Sequence, residues 1–238
     1  MENDVHIAQH ISKQFDIELE DVRNQVLKMG GLVEKQVRDG LHALLTGDDK
    51  LAKKVIKRDR KVNALEVQID EVCTDILARR QPAASDLRLV ISIIKTITDL
   101  ERIGDEAEKL AISAKKVKEN NISERQYHDV RTLGELVIAN LKQTLDAIAR
   151  MDVEEAIEAI KADEAVNSEF ENLQRLLIIK MMEDPRVIKD ALSISWSARA
   201  LERIGDHSKN INEYLIYLVK GKDIRHIDLD DIEDTLDD

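Results

Sequence analysis

The chain contains 238 residues, 43% of them hydrophobic and 35% charged, which is enough to bury a core in one or two domains. Aromatic residues make up only 3%, and there are two prolines and eight glycines, a composition that favours long helices and argues against sheet. The net charge of −12 argues against nucleic acid as a partner, because phosphate groups are bound by clustered cations.

Several features predict a cytoplasmic location. The single cysteine, Cys73, excludes an internal disulfide and suits a reducing compartment. The first residues, 1–6, lack the basic and apolar regions of a secretory signal. No apolar run approaches the roughly 18–20 residues that span a bilayer. Because an acidic surface is repelled by anionic lipid, the membrane is expected to be reached only indirectly, through partners.

Glycine, proline and capping residues mark the ends of six predicted helices. Gly47 ends the first helix and Asp48 caps the second. Capping boxes open the fourth and fifth helices. The sixth helix opens at Asp184-Pro185 and ends at Gly221. The predicted helices begin near Ser12, Asp48, Ser85, Ser123, Asp152 and Asp184.

The last segment, 222–238, holds eight acids and two bases. Such a charge run is expected to be a solvated or disordered acidic tail. The alternative is a docking segment for a basic partner.

The six residues Leu-Glu-Arg-Ile-Gly-Asp occur at 100–105 and again at 201–206. The doubling extends further, since Gly30-x-Leu32-Val33 recurs 104 residues later. It predicts two copies of a three-helix unit, and short connections make consecutive helices antiparallel. The predicted fold is all-α, with two tandem up-down-up three-helix bundles related by pseudo-symmetry. The bundles are expected at 1–121 and 122–221, before the tail.

Each copy of the hexapeptide carries two acids four residues apart, which share one face of a helix. Glu101 and Asp105 form the first carboxylate pair, and Glu202 and Asp206 form the second, which Asn210 extends. The helical phase places the first pair beside an apolar stripe. Two poorly solvated carboxylates repel each other, so they are expected to be protonated, paired with cations or bound to metal.

From the residues alone, metal binding by the acidic pairs and salt bridges to neighbouring Arg or Lys side chains are equally good explanations. Carboxylate and amide oxygens suit Mg²⁺, Mn²⁺ or iron, with zinc as a further candidate. Two more polar pairs with the same spacing are weaker candidates, and helix-surface polarity explains them equally well: Asp59 with Asn63, and Asp163 with Asn167.

The glycines and the histidine next to the acidic pairs lead to two further predictions. Gly104 and Gly205 lie inside predicted helices, where glycine costs about 1 kcal/mol relative to alanine, so a close approach by another backbone or a ligand is expected. His207 is expected to face solvent or a partner, because it lies about 100° round the helix from Asp206.

Nothing in the sequence indicates an enzyme. The chain has no phosphate-binding Gly-x4-Gly-Lys-Ser/Thr loop, no nucleophile elbow and no histidine cluster. A helical scaffold that binds metal incidentally is one alternative function. A metal-dependent hydrolase is another, and it would need a water-activating base in an open pocket.

Taken together, these motifs resemble the PhoU family of phosphate-transport accessory regulators over roughly 1–225. The resemblance rests on the doubled hexapeptide, Gln81-Pro82-x3-Asp86-Leu87-Arg88, Asp59-x-x-Val62-Asn63 and Val219-Lys220-Gly221. It implies cytoplasmic action beside a high-affinity phosphate ABC transporter. It also implies repression of phosphate-starvation genes, through contacts with the transporter ATPase and a sensor histidine kinase. We also expect a homodimer.

The resemblance further implies metal clusters held by Glu-x3-Asp-x3-Asn/Glu motifs. The second acidic pair continues to Asn210 and matches in full, whereas the first pair continues to Lys109. We therefore expect the second copy to be the better metal site, with the Lys109 ammonium acting as a counter-ion in the first.

Overall fold

The computed structural model describes residues 13–119, 128–227 and 231–237, which form helices joined by short connections, and no strand occurs among them. The helices are α1 (Lys13–Thr46), α2 (Asp49–Arg80), α3 (Ala84–Glu119), α4 (His128–Arg150), α5 (Val153–Glu183), α6 (Ile188–Lys220) and α7 (Ile232–Asp237). The predicted capping box at Ser123 and Gln126 lies outside the described residues.

The helix ends follow local chemistry. The Asp48 carboxylate accepts hydrogen bonds from the backbone N–H groups of Lys50 and Leu51, and Asp152 accepts one from Glu155. These contacts confirm two predicted caps. Two ends differ in detail. Ser85 lies inside the first turn of α3, not at its cap, and Asp184 caps a short 3₁₀ turn, Pro185–Val187, which leads into α6.

The helices form two bundles, α1–α3 and α4–α6, which confirms the predicted fold class. In the first bundle α1 and α2 are antiparallel, because Arg80 at the end of α2 pairs with Glu18 near the start of α1 at 2.6 Å. Near the other end of the pair, Arg58 pairs with Asp39 at 2.8 Å.

The two bundles pack on each other through reciprocal contacts. A Cβ added at Gly30 of α1 would lie 2.7 Å from a methyl group of Leu145 of α4, and one added at Gly134 of α4 would lie 2.5 Å from Leu41 of α1. These residues are equivalent in the repeat, so each leucine packs on the glycine of the other half. The core is continuous across the halves, since a single cluster of buried side chains includes residues from all six long helices.

The doubled hexapeptide lies where α3 crosses α6. Ile103 and Ile204, at equivalent positions, are fully buried. Asp99, just before the first hexapeptide, bonds to His207, just after the second, at 2.7 Å. The two copies therefore lie side by side and antiparallel, with their leucine and isoleucine side chains in the core.

The C-terminal segment differs from the expected solvated tail. Ile224 and Ile232 are 2% and 3% exposed and pack against the ends of α4, α5 and α6. The Lys222 ammonium donates a hydrogen bond to the backbone carbonyl of Thr235 at 2.6 Å. The acids share this segment with isoleucines that gain free energy by leaving water, so the described part of it is packed. None of the described helices is both long and apolar enough to cross a bilayer.

Candidate functional site

The acidic site of the first half is built where α2 lies against the hexapeptide of α3. The Gly104 position lies close to Asp59, because an added Cβ would be 3.2 Å from a carboxylate oxygen of that residue. Gln36 of α1 donates one hydrogen bond to Asp59 at 2.8 Å and another to the carbonyl of Gly104 at 3.1 Å. Gly104 thus allows a carboxylate from the neighbouring helix to approach closely. The expected close approach is therefore made by an acidic side chain, and not by a backbone or a ligand.

Asp59 of α2 meets two acids of α3. One carboxylate oxygen from each of Asp59, Asp105 and Glu108 lies within 4.8 Å of the others. Burial raises the pKa of Asp59 and of Glu108, and the negative charge of Asp105 raises both further. A cation bound between the three carboxylates would offset the negative charge that opposes the ionisation of Asp59 and Glu108.

Glu101 lies at the edge of this group. Burial raises the pKa of Glu101, and the negative charges of Asp105, Glu66 and Asp59 raise it further. Asn63 of α2 also faces Asp59, whose charged form it stabilises by a hydrogen bond. Sequence reasoning therefore chose residues that the fold brings together in the first half, but it left out Glu108 and Glu66.

The second half repeats this arrangement with two changes. Asp163 is the counterpart of Asp59, and its Oδ1 would lie 2.7 Å from a Cβ at Gly205. However, Asn140 stands where the first half has Gln36, and its amide donates to the carbonyl of Ala159 at 2.7 Å. Asp163 Oδ1 is buried and has no hydrogen-bond partner among the described residues.

The second change concerns the third acid. The counterpart of Glu108 is Lys209, which lies close enough to lower the pKa of Asp163. Burial, together with the negative charge of Asp206, nevertheless raises the pKa of Asp163 to about 6. A lysine therefore occupies the position of the third carboxylate, and the second half holds fewer acids around its buried aspartate.

The remaining predicted residues of the second half are spread over several contacts. Glu202 accepts a bond from Arg199 at 2.7 Å, while its Oε2 is buried and has no hydrogen-bond partner among the described residues. Asp206 is exposed. Asn210 donates to Asp99 of the other half at 3.5 Å. Asn167 donates to Asp163 at 3.1 Å.

Both halves can be tested for their fit to a cation. The first half offers three carboxylates within reach of one ion, a set of oxygen ligands that suits Mg²⁺, Mn²⁺ or iron better than zinc, which prefers nitrogen and sulfur. The second half offers two buried unpaired oxygens, on Asp163 and Glu202, beside the Lys209 ammonium. The geometry favours the first half, the reverse of the order expected from Asn210. Metal binding by either set stays a prediction.

Two contacts between the halves, and one within α3, were missed or misjudged. His207 is 8% exposed and bonds to Asp99, so the expectation that it faces solvent is wrong. Glu106 is buried and pairs with Arg203 of α6 at 3.1 Å. Lys109 pairs with Glu106 at 2.9 Å. It therefore neutralises Glu106 at the junction between the halves. Its positive charge also offsets part of the rise that burial causes in the pKa of Glu108, in the acidic site.

A family model described as the PhoU domain matches this chain twice, at residues 26–114 and at 130–215. The chain is 52% identical over 229 residues to the phosphate-specific transport system accessory protein PhoU homolog of Pseudomonas aeruginosa, covering 96% of this chain and 95% of that protein. It is 45% identical over 232 residues to the phosphate-specific transport system accessory protein PhoU of Escherichia coli K12, covering 98% and 96%.

Solved structures show the same similarity. The crystal structure of PhoU from Pseudomonas aeruginosa matches with a TM-score of 0.85 at 52% identity, over 88% of this chain and 100% of that chain. The phosphate transport system regulatory protein PhoU from Streptococcus pneumoniae matches with a TM-score of 0.80 at 32% identity, over 88% and 99%.

Proposed function

Because the chain belongs to the PhoU family, we propose that it is an accessory protein of a phosphate-specific transport system and a negative regulator of phosphate-starvation genes. The observation that carries this proposal is similarity over nearly the whole length, at 45–52% identity, to proteins named for that transport system. Both repeats lie within the matched region, so the proposal extends to the complete two-bundle unit.

We propose that regulation proceeds by protein contacts with two partners, the ATPase subunit of the phosphate transporter and a sensor histidine kinase. Long helices present extended surfaces suited to such contacts. The relatives are named as accessory and regulatory proteins and not as enzymes, which supports a role without catalysis. The protein would act in the cytoplasm and reach the membrane through these partners, since a chain of net charge −12 is repelled by anionic lipid.

A cation bound by Asp59, Asp105 and Glu108 would contribute to this function by fixing α2 against α3. These three residues would hold the ion through carboxylate oxygens, and the ion would supply positive charge that cancels their mutual repulsion. Glu202, Asp206 and Asn210, with Asp163, would form the second and weaker site. In both places the proposed role is structural.

A reporter strain tests the regulatory role. We expect deletion of the gene to leave a phosphate-starvation promoter active in phosphate-rich medium, and the intact gene to restore repression. Normal repression in the deletion strain would refute this role and leave the helical scaffold as the leading alternative.

Cell fractionation tests the route to the membrane. The protein should sediment with membranes only in cells that contain the transporter or the kinase. Its presence on membranes lacking both would contradict indirect association.

A further inference from the structure

The two halves differ at the start of their first helices. The described part of α4 begins at His128, which is the repeat counterpart of Asn24 in α1. The helix α1 begins earlier, at Lys13, so its first turns have no counterpart within the described α4. Over the described residues, the first bundle therefore contains a helical segment that the second bundle does not.

In the first half this segment covers the end of α2 and the start of α3. Its apolar side chains at positions i, i+4 and i+7 are Phe15, Leu19 and Val22, and they are almost fully buried. The Glu18–Arg80 ion pair holds this part of α1 beside the end of α2. The three side chains share one core cluster with apolar residues of α2 and α3, which are Ile69, Cys73, Ile76, Leu89, Val90 and Ile93.

The same place in the second half is an open groove between the last turns of α5 and the first turns of α6. Its floor contains the repeat counterparts of three of those core residues, which are Leu177, Ala191 and Ile194. Leu176 lies at the edge of the groove and is 44% exposed, whereas its counterpart Val72 packs against the core. A helix lying here as α1 lies in the first half would remove this apolar surface from water.

The chain does not supply such a helix itself. The counterparts of the three apolar residues of α1 are all polar, namely Glu119, Ser123 and Gln126. Glu119 is moreover the last residue of α3. A second copy cannot provide its α1 either, because the apolar side chains of that segment are buried in its own core. The groove therefore suits a helix of a different protein.

The charge at the mouth of the groove is opposite to that in the first half. In the first half Arg80 pairs there with Glu18. The second half has two acids at that place, Glu183 and Asp184, which line the groove. Asp184 pairs with the exposed Arg186, whereas Glu183 has no ion-pair partner among the described residues. An occupant lying like α1 would thus meet an acid at the position of Glu18, where a basic side chain is attracted.

We propose that this α5–α6 groove, lined by residues within 177–184 and 187–194, binds an amphipathic helix of a partner protein. The helix carries apolar side chains at i, i+4 and i+7, as α1 does, and a basic residue at i+3. Its N-terminus points towards the turn between α5 and α6, which places the positive end of the helix dipole beside the acids. The inference rests on the proposed regulation by protein contacts, and it assigns a site and a recognition motif to one of them.

A peptide based on α1 provides a probe. Residues 13–27 with Glu18→Lys, made with blocked termini and a fluorophore, contain both the apolar stripe and the basic residue. Fluorescence anisotropy measures its binding to the full-length protein. We expect saturable binding with a Kd at least about fivefold below that of the unchanged peptide, because the lysine meets acids that repel the glutamate. A peptide with Phe15→Ser and Leu19→Ser should not bind, since it lacks its apolar anchors.

Variants of the protein locate the peptide in the groove. Leu176→Glu, at the exposed edge, should raise Kd at least about tenfold, because it places a charge against the apolar stripe. Lys180→Ile with Asp190→Leu introduces the side chains found at the equivalent places of the first half, so it should lower Kd. Met182→Glu adds the same charge on the opposite side of α5, where Met182 is 79% exposed, and should leave Kd unchanged.

The reporter strain tests whether a regulatory partner uses the groove. At equal protein levels, Leu176→Glu should leave the promoter active in phosphate-rich medium, and Met182→Glu should restore repression. Repression by Leu176→Glu in a strain whose deletion activates the promoter would overturn the docking site and leave the proposed function intact. Normal repression in the deletion strain would instead refute that function, and peptide binding alone would then decide the groove.

Circular dichroism verifies that every variant is folded. A Glu18→Lys peptide that fails to bind, or one that binds wild type and Leu176→Glu equally, would overturn the proposal. Self-association that is lost in Leu176→Glu would assign the groove to a second copy and would overturn it as well.

Discussion

At the scale of single residues, one of the two changes between the copies of the acidic site is a single methylene group, the difference between Gln36 and Asn140. The side chain of Gln36 is long enough to donate to Asp59, whereas the shorter Asn140 donates to the backbone of α5 instead. Asp163 is consequently buried with one oxygen unpaired. Protonation of its buried aspartate therefore matters more in the second site than in the first.

This difference predicts a pH effect at Asp163. Its pKa is raised from the ordinary 3.8 to about 6, so the folded protein binds the proton more tightly than the unfolded chain does. The free energy of unfolding should therefore fall as pH rises from about 4 to about 6. Asp163→Asn cannot ionise, so its stability relative to wild type should increase over that range. Urea unfolding at several pH values, with chelator present, measures the difference, and exposed Glu158→Gln is the control. A difference independent of pH would contradict the prediction.

Metal binding is expected to depend more on the first half. Mg²⁺, Mn²⁺ or iron should raise the melting temperature of metal-free protein, because a ligand that binds only the folded state stabilises it. Asp105→Asn with Glu108→Gln should remove most of the gain, and Glu202→Gln with Asp206→Asn should remove less. Calorimetry with and without each ion measures the shift. An equal loss from both pairs would refute the asymmetry.

Two glycines of α1 should respond oppositely to alanine. A Cβ at Gly40 would lie 2.9 Å from the backbone carbonyl of Ala107, which cannot move without shifting α3, so Gly40→Ala should destabilise the protein. Gly31 has open space, so Gly31→Ala should stabilise the protein by roughly 0.5–1 kcal/mol through helix propensity. Chemical unfolding compares the two variants directly. A stabilised Gly40→Ala variant would show that the two helices are not in close contact there.

At the scale of elements, the junction of α3 and α6 depends on polar contacts inside an apolar surface. Asp99 is 2% exposed and is held by His207 at 2.7 Å, with Arg102 further away at 3.7 Å. His207→Ala should cost about 2 kcal/mol, because it leaves a buried carboxylate without its nearest partner. Exposed His42→Ala is the matched control. Equal unfolding midpoints for the two variants would show that Asp99 does not need this partner.

The same junction shows how far the sequence predicts the structure. Capping residues such as Asp48 and Asp152 act on their own helices, so local chemistry predicts the helix ends. The repeat predicts that Asp59 and Asp163 are equivalent. The burial of Glu106 and His207 depends on a helix more than 90 residues away. Helical phase alone cannot indicate which face of a helix will pack against a helix that is distant in the sequence. The packing of the C-terminal segment could not be predicted for the same reason.

At the scale of the whole molecule, the continuous core predicts that the two halves unfold together. If one half unfolded alone, the other half would expose the side chains that are now buried at the α3–α6 and α1–α4 contacts. We expect the full chain to unfold in one transition. The separate pieces 1–121 and 122–238, divided at the proposed repeat boundary, should lack a cooperative transition. Calorimetry of the three proteins tests this, and two independent transitions would mean that the repeats are autonomous domains.

The reciprocal packing of Leu145 on Gly30 and of Leu41 on Gly134 has a consequence for the origin of the chain. Such contacts are those of two identical short chains paired about a two-fold axis, so the present protein has the form of a fused ancestral pair. When two identical chains pair without being fused, each substitution in their gene appears in both chains, at both symmetric positions. Fusion removes that constraint, so equivalent positions can differ, as Glu108 and Lys209 do. The two halves of one chain can therefore carry different side chains at symmetric places.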